Sequence, residues 1–228
     1  MTIFKIGLLG GTFDPVHFGH LQLAEVALRE CSLNKVFFVP AASPPHKDET
    51  TVTSFAHRVA MLEIVSATSS HFACSAIEGQ LPTPSYTFDT LRALGDFFLE
   101  DTDLFFIIGV DAFLDIKTWK SYREILRLVN IVIAQRNGFR KAQLVDFLQA
   151  LGYTQQTNCW QGDDGRKKIF LLAAQPGNFS STLIRKKIKE GILPAGDIPE
   201  GVIEYIYKHQ LYQVDATKRE PHLAGRIR

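Results

Sequence analysis

Apolar and polar positions along the chain follow two alternating rhythms. Short β-branched or aromatic runs at 3–9, 35–39, 103–109 and 169–173, with 129–134 between the last two, have the length and continuity of buried strands, and 71–77 is a further candidate. Between them the apolar residues recur at helical spacing. Leu21, Ala24, Leu28 and Cys31 predict a helix over 20–31. Ser54 reads as the cap of a helix reaching about residue 67, and further helices are predicted at 87–99, from near Asp111, and at 141–151, 180–189 and 202–209. The polar, glycine-containing stretch 155–168 reads as a loop or surface insertion, and the residues after Tyr212 have no periodicity. Strands alternating with helices imply βαβ units, right-handed crossovers and a parallel sheet, here as a single α/β domain over 1–212 with a flexible tail over 213–228. In such sheets ligands bind beyond the carboxyl ends of the strands. Every unusual segment of this chain follows a strand: GGTFDPVHFGH, PPHK, GVDAF and, after a short turn, PGNFSSTLIR.

Composition narrows the class. Apolar residues make up 46% of the 228 and charged residues 21%, an ordinary globular mix with material for a sizeable core. Lys and Arg total 25 against 24 Asp and Glu, a formal net charge of +1, so a protein gripping nucleic acid through its phosphates is disfavoured. No apolar segment has the length of a membrane span, and the opening MTIFKIGLLGG lacks the apolar stretch and cleavage site of a signal peptide. Three cysteines, Cys31, Cys74 and Cys159, form no CxxC pair, which points to a reducing, cytoplasmic setting.

The first strand–helix junction, residues 10–20, is neither GxGxxG nor a Walker A loop. Its glycines, Gly10 and Gly11, let backbone approach a ligand, Asp14-Pro15 turns the chain, and His17 and His20 stand three residues apart at a helix start. Free N–H groups and the dipole at a helix N-terminus suit phosphate, and two imidazole donors add to them. A histidine pair at this spacing also fits a metal site or plain structure. Metal is disfavoured, because no HExxH pattern or nearby Cys/His cluster completes a ligand set. In NFSSTLIR, Ser180, Ser181 and Thr182 suit a helix start, and Arg185 lies one turn on along the same side. Lys186, Lys187 and Lys189 read as a solvated face.

The junction string resembles the T/HxGH signature of the nucleotidylyltransferase superfamily, with His17 at the variable position and Gly19-His20 closing it, and SSTLIR resembles that superfamily's SSTxIR signature. PPHK (44–47), SYTFDTL (85–91), IIGVDAFLDIKTW (107–119) and the RNG turn at Arg136 are similar to segments of bacterial nicotinate mononucleotide adenylyltransferases. The resemblance spans residues 3–212. It departs at 155–168, in the tail, and at Phe179, where Ile commonly precedes SST.

The resemblance implies a Rossmann-like, doubly wound parallel sheet with helices on both faces and C-terminal helices carrying SSTxIR. It implies that the phosphate of nicotinate mononucleotide attacks the α-phosphorus of ATP, giving nicotinate adenine dinucleotide and pyrophosphate in NAD biosynthesis, with no protein nucleophile. His17, His20 and Arg185 would be catalytic. Gly10, Gly11, Thr12, Phe13, Gly109, Asp111, Ser181, Thr182 and Arg136 would serve ATP, and Lys47, Tyr86, Thr87 and Trp119 the mononucleotide. Asp111 also reads as a helix N-cap, Trp119 as plain core, and His46 and His57 as surface or structural residues. Mg²⁺ would arrive on the ATP phosphates rather than in a protein cage. No nucleic acid or membrane partner is expected, and a homo-oligomer is left open. The alternatives are an enzyme using nicotinamide mononucleotide or phosphopantetheine as acceptor or a cytidylyl donor, or a nucleotide-binding module without turnover.

Overall fold

The computed structural model describes residues 3–43, 52–84, 86–98, 101–135, 139, 141–173, 177 and 179–213. In chain order its elements are β1 (Phe4–Gly11), α1 (Phe18–Glu30), β2 (Lys35–Pro40), α2 (Phe55–Ser66), β3 (Phe72–Cys74), α3 (Thr87–Phe97), β4 (Thr102–Gly109) and α4 (Val110–Leu114). They continue with α5 (Tyr122–Leu128), β5 (Asn130–Ala134), α6 (Lys141–Ala150), β6 (Tyr153–Gln155), β7 (Trp160–Gly162), β8 (Ile169–Leu171), α7 (Ser181–Lys189) and α8 (Glu200–Lys208). Single 3₁₀ turns lie at Ile77–Gln80, Ile116–Thr118 and Leu211–Gln213.

The strands form one sheet in the order β3-β2-β1-β4-β5-β8-β7-β6. Six of them run parallel, from β3 to β8, and the last two are antiparallel. The doubly wound parallel sheet is as expected, and the antiparallel pair gives it a mixed edge. The cause is the segment read as a loop: its residues fold back as a β6–β7 hairpin that extends the sheet edge. Two aromatic anchors, Tyr153 at 2% and Trp160 at 3% exposure, seat the hairpin on the core, while the polar residues around them hide its strand pattern. The predicted strand at 71–77 shortens to Phe72–Cys74 before a 3₁₀ turn. The short helix α5 was not anticipated.

Alternation along the central strands divides the core between the two faces of the sheet. Leu104, Phe106 and Ile108 of β4, with Ile131 and Ile133 of β5, face the helices α3 to α6. Phe105 and Ile107 of β4, with Val132 and Ala134 of β5, face α1, α2, α7 and α8. Both faces of β4 are covered, as its continuous apolar run requires.

Chain direction across the sheet reverses between β1 and β4: β2 and β3 lie on one side, and β5 and β8 on the other. Such a switch point opens a crevice at the carboxyl ends of the two strands. The register pairs Leu9 with Ile107, so Gly11 and Gly109 end the two strands at the same level.

Candidate active site

The loop leaving β1 is buried from Phe13 to His17. Phe13 is 1% exposed and takes a left-handed φ of 51°, and a cis peptide joins Asp14 to Pro15. His17 is the N-cap of α1 and His20 its third residue; the His20 Nδ1 accepts the His17 backbone N–H at 3.2 Å. An imidazole that accepts at Nδ1 carries its proton on Nε2, which leaves that N–H as the ring's single donor. The two imidazoles stack at 3.7 Å between centroids, and the Phe13 ring meets His20 edge-on at 4.8 Å. Gly19 permits a close approach here. A Cβ at that position would lie 3.0 Å from Phe179 and 3.1 Å from His17 Nδ1, where the ring of Phe179 closes over His17.

Burial keeps both rings neutral. It pushes the His17 pKa down to about 4, against smaller raising effects from its own backbone and Asp197. Burial, with His17 as second cause, takes His20 well below the usual imidazole range. Because folded His17 binds a proton less readily than the unfolded chain, stability is undiminished above pH 6.5 and falls as pH drops from 6.5 toward 4. The expected loss is up to about 3 kcal/mol. Urea unfolding across that window should show the slope in the wild type and a flatter one in His17→Gln. Identical slopes would remove His17 as its source.

Helix α7 meets this loop from the far end of the sequence. Ser180 is its N-cap, Ser181 Oγ donates to the Pro15 carbonyl at 3.1 Å, and Arg185 Nη1 donates to the Asp14 carbonyl at 2.6 Å. Arg185 Nη2 also reaches Thr182 Oγ1 at 3.4 Å. Lys187 pairs with Asp197 at 2.6 Å, and Lys186 and Lys189 are exposed, as a solvated face should be.

Beyond β1 and β4 lies a cavity of about 230 Å³. Gly10, Gly11, Gly109, Thr87 and Trp119 all line it, so five of the residues singled out in the sequence meet at the switch point. A Cβ at Gly109 would meet nothing within 4 Å, which marks open space at the strand end. Trp119 is half-buried and sits edge-on to Phe106 at 6.3 Å, with part of the indole left on the cavity.

Other residues singled out in the sequence stand elsewhere. Tyr86 does not line this cavity: it is 45% exposed and carries the Lys120 ammonium 4.6 Å above its ring. Asp111 is not the cap of α4, a place held by Gly109; it is exposed in the first turn. Thr12 offers its carbonyl to Arg58. Lys47, with PPHK and His46, and Arg136 with the RNG turn lie outside the described residues, as do Asn178 and the tail from Val214. His57 is structural, bonded through Nδ1 to the Tyr205 hydroxyl at 2.9 Å.

Three further charged residues shape this region. Arg58 is 1% exposed and donates to the carbonyls of Thr53, Thr12, Ala41 and Ala42. Its signal was present: it lies on the buried stripe of α2 with Met61, Leu62 and Val65, where a charge needs partners. Glu78 lines the cavity, with Oε1 accepting from Thr90 and Oε2 from the Ala42 N–H. Asp14, read only as a turn residue, is 2% exposed and engages Tyr212.

A larger cavity of about 380 Å³, lined by Lys117, Arg123, Arg127, Asp164 and Arg166 among others, contains none of the residues singled out in the sequence. Among the described residues no group of three or more His, Cys, Asp or Glu side chains stands close enough to hold a metal ion, and no helix is long and apolar enough to cross a membrane.

A family model described as cytidylyltransferase-like matches residues 8–187. The chain is 42% identical over 210 residues to a "Probable nicotinate-nucleotide adenylyltransferase" of Desulfotalea psychrophila, covering 91% of this chain and 99% of that one. A protein of the same description from Geobacter sulfurreducens is 39% identical over 219 residues, covering 92% and 99%. Among solved structures, the Plasmodium falciparum nicotinic acid mononucleotide adenylyltransferase complexed with NaAD superposes with a TM-score of 0.71 at 20% identity, over 93% of this chain and 98% of that one. That last likeness is one of fold.

Proposed function

The chain belongs to the nicotinate-nucleotide adenylyltransferase family of cytidylyltransferase-like nucleotidyltransferases, and from that premise we propose that it transfers the adenylyl group of ATP to nicotinate mononucleotide. The products are nicotinate adenine dinucleotide and pyrophosphate. The observation that carries this reading is the meeting of two segments remote in sequence: the His17–His20 helix start and the Ser181–Arg185 helix are stitched together through Pro15 and Asp14.

An acceptor phosphate oxygen forms a bond to the α-phosphorus as the bond to the pyrophosphate oxygen breaks, so the protein supplies position and charge stabilisation rather than a nucleophile. In this reading the neutral His20 donates from Nε2 to oxygens that gain charge as the bond breaks. His17 and the first N–H groups of α1 add donors at the same helix start. Ser181, Thr182 and Arg185 hold the departing phosphates. Gly10 and Gly11 let ATP lie against β1, Thr12 and Phe13 shape the bend of that loop, and Gly109 and Asp111 stand toward the ribose. Thr87 and Trp119 form the wall for the pyridine ring, with the indole face as stacking surface. Mg²⁺ carried by the triphosphate would offset part of its charge, with the protein residues holding the phosphates themselves. Lys47 and Arg136 are proposed as further contacts to mononucleotide and ATP.

Pyrophosphate release with ATP and Mg²⁺ tests the reading, comparing nicotinate mononucleotide, nicotinamide mononucleotide and phosphopantetheine. Fast release with the nicotinate acceptor alone is expected. Equal rates with the amide would discard the acid preference, and silence with all three despite ATP binding would leave a binding module.

A further inference from the structure

We propose that Tyr212 and Asp14 form a positioning pair that keeps Arg185 free for phosphate, an inference that rests on the adenylyl-transfer reading. Asp14 is a carboxylate at 3% side-chain exposure within a loop meant to receive a triphosphate. A buried charge of that sign works against the ligand unless donors satisfy it. Two donors do so directly: the Tyr212 hydroxyl gives to Oδ1 at 2.8 Å and the Thr53 N–H to Oδ2 at 3.3 Å. Arg185 makes only a long ion pair with that carboxylate. Its Nη1 lies 4.0 Å from Oδ2 while donating to the Asp14 backbone carbonyl at 2.6 Å.

The chain goes to some length to bring Tyr212 there. It sits in the last 3₁₀ turn, Leu211–Gln213, which packs against α7 and α8, and it takes a left-handed φ of 63°, a region costly for a bulky residue. Burial, then the neighbouring Asp14, pushes its phenol far above the ordinary range, so the hydroxyl stays a donor at every working pH. Without that hydroxyl, Oδ1 loses this donor and Arg185, whose Nη1 already lies 4.0 Å from Oδ2, closes on the carboxylate and leaves the phosphates. The last described segment thus tunes the phosphate grip without touching substrate.

Tyr212→Phe removes the hydroxyl and preserves the ring. The expected result is a drop of about tenfold in kcat/KM for ATP, the scale of one hydrogen bond to a charged group, with KM for nicotinate mononucleotide unchanged. Adding Asp14→Asn should recover part of the loss, since a neutral amide no longer draws Arg185. Unchanged ATP kinetics in Tyr212→Phe, or losses that simply add in the double variant, would overturn the pair and leave Tyr212 as packing. If the wild type transfers nothing from ATP to the mononucleotide, the activity reading fails on its own. The pair is then decided by amide hydrogen exchange over residues 12–18: faster exchange in Tyr212→Phe supports it, and unchanged exchange overturns it.

Discussion

His20→Ala is expected to lower kcat by about 100- to 1000-fold, the usual cost of removing a preorganised donor to developing negative charge. ATP KM should move by no more than about threefold. The reason for the split lies in how the ring is held. Its Nδ1 is engaged by the His17 N–H, its ring stacks on His17 and meets Phe13 edge-on, and burial keeps it uncharged. A neutral, fixed donor adds little to the binding of an already charged triphosphate. It gains most when charge builds on the oxygens of the breaking bond, because no reorganisation is then needed. Asn in place of His restores an N–H donor in a different position, so His20→Asn should recover only part of the rate. Steady-state kinetics with saturating nicotinate mononucleotide would decide the matter. Equal losses in kcat/KM through KM alone would make His20 a ground-state phosphate ligand and move the rate enhancement elsewhere in the loop.

That prediction draws on a part of the molecule that was legible in the sequence. The run 103–109 had the continuous apolar character of a strand covered twice, and β4 is that strand. His17 and His20 were read as a helix start, and they are the cap and third residue of α1. Ser54 was read as a cap, and its side chain accepts the His57 N–H at 3.4 Å. What escaped reading depended on tertiary context. The β6–β7 hairpin has only three residues per strand, and its buried Tyr153 and Trp160 are too far apart to set a period. Helix α5 has seven residues and begins from Ser121 in a left-handed conformation, with neither a regular cap nor enough turns to show a stripe. Tyr86 and Thr87 are adjacent in the sequence, yet one is exposed under Lys120 and the other lines the cavity, because position 86 caps α3 and points away. Asp14 and Arg58 leave the least trace in the local sequence. Each carries a charge whose partners are backbone groups or residues distant in sequence, and no local spacing announces those.

Arg58→Met is expected to destabilise the fold by about 3–5 kcal/mol, because several buried carbonyls lose a charged donor and each unsatisfied one costs about 1–3 kcal/mol before relaxation. The guanidinium bonds the Thr53 carbonyl at 2.9 Å, Thr12 at 2.9 Å, Ala41 at 2.7 Å and Ala42 at 3.2 Å. It therefore ties α2 to both the loop after β1 and the chain leaving β2. Methionine fills much of the same volume, so packing survives while four carbonyls lose their donor. At about 2–4 °C per kcal/mol for a chain of this size, Tm should fall by roughly 6–20 °C. Arg58→Lys keeps the charge but presents a single ammonium in place of a planar fork, and it should recover less than half of that loss. The consequences reach the site, because Thr12 belongs to the loop that carries His17, and Ala41 lines the cavity. Below its own Tm the Met variant should therefore also bind ATP more weakly, which isothermal titration of ATP at 15 °C would detect. A loss under about 1 kcal/mol in urea unfolding, the range of an ordinary surface change, would mean that water replaces the guanidinium at those carbonyls and that Arg58 is not the tie between the two strand ends.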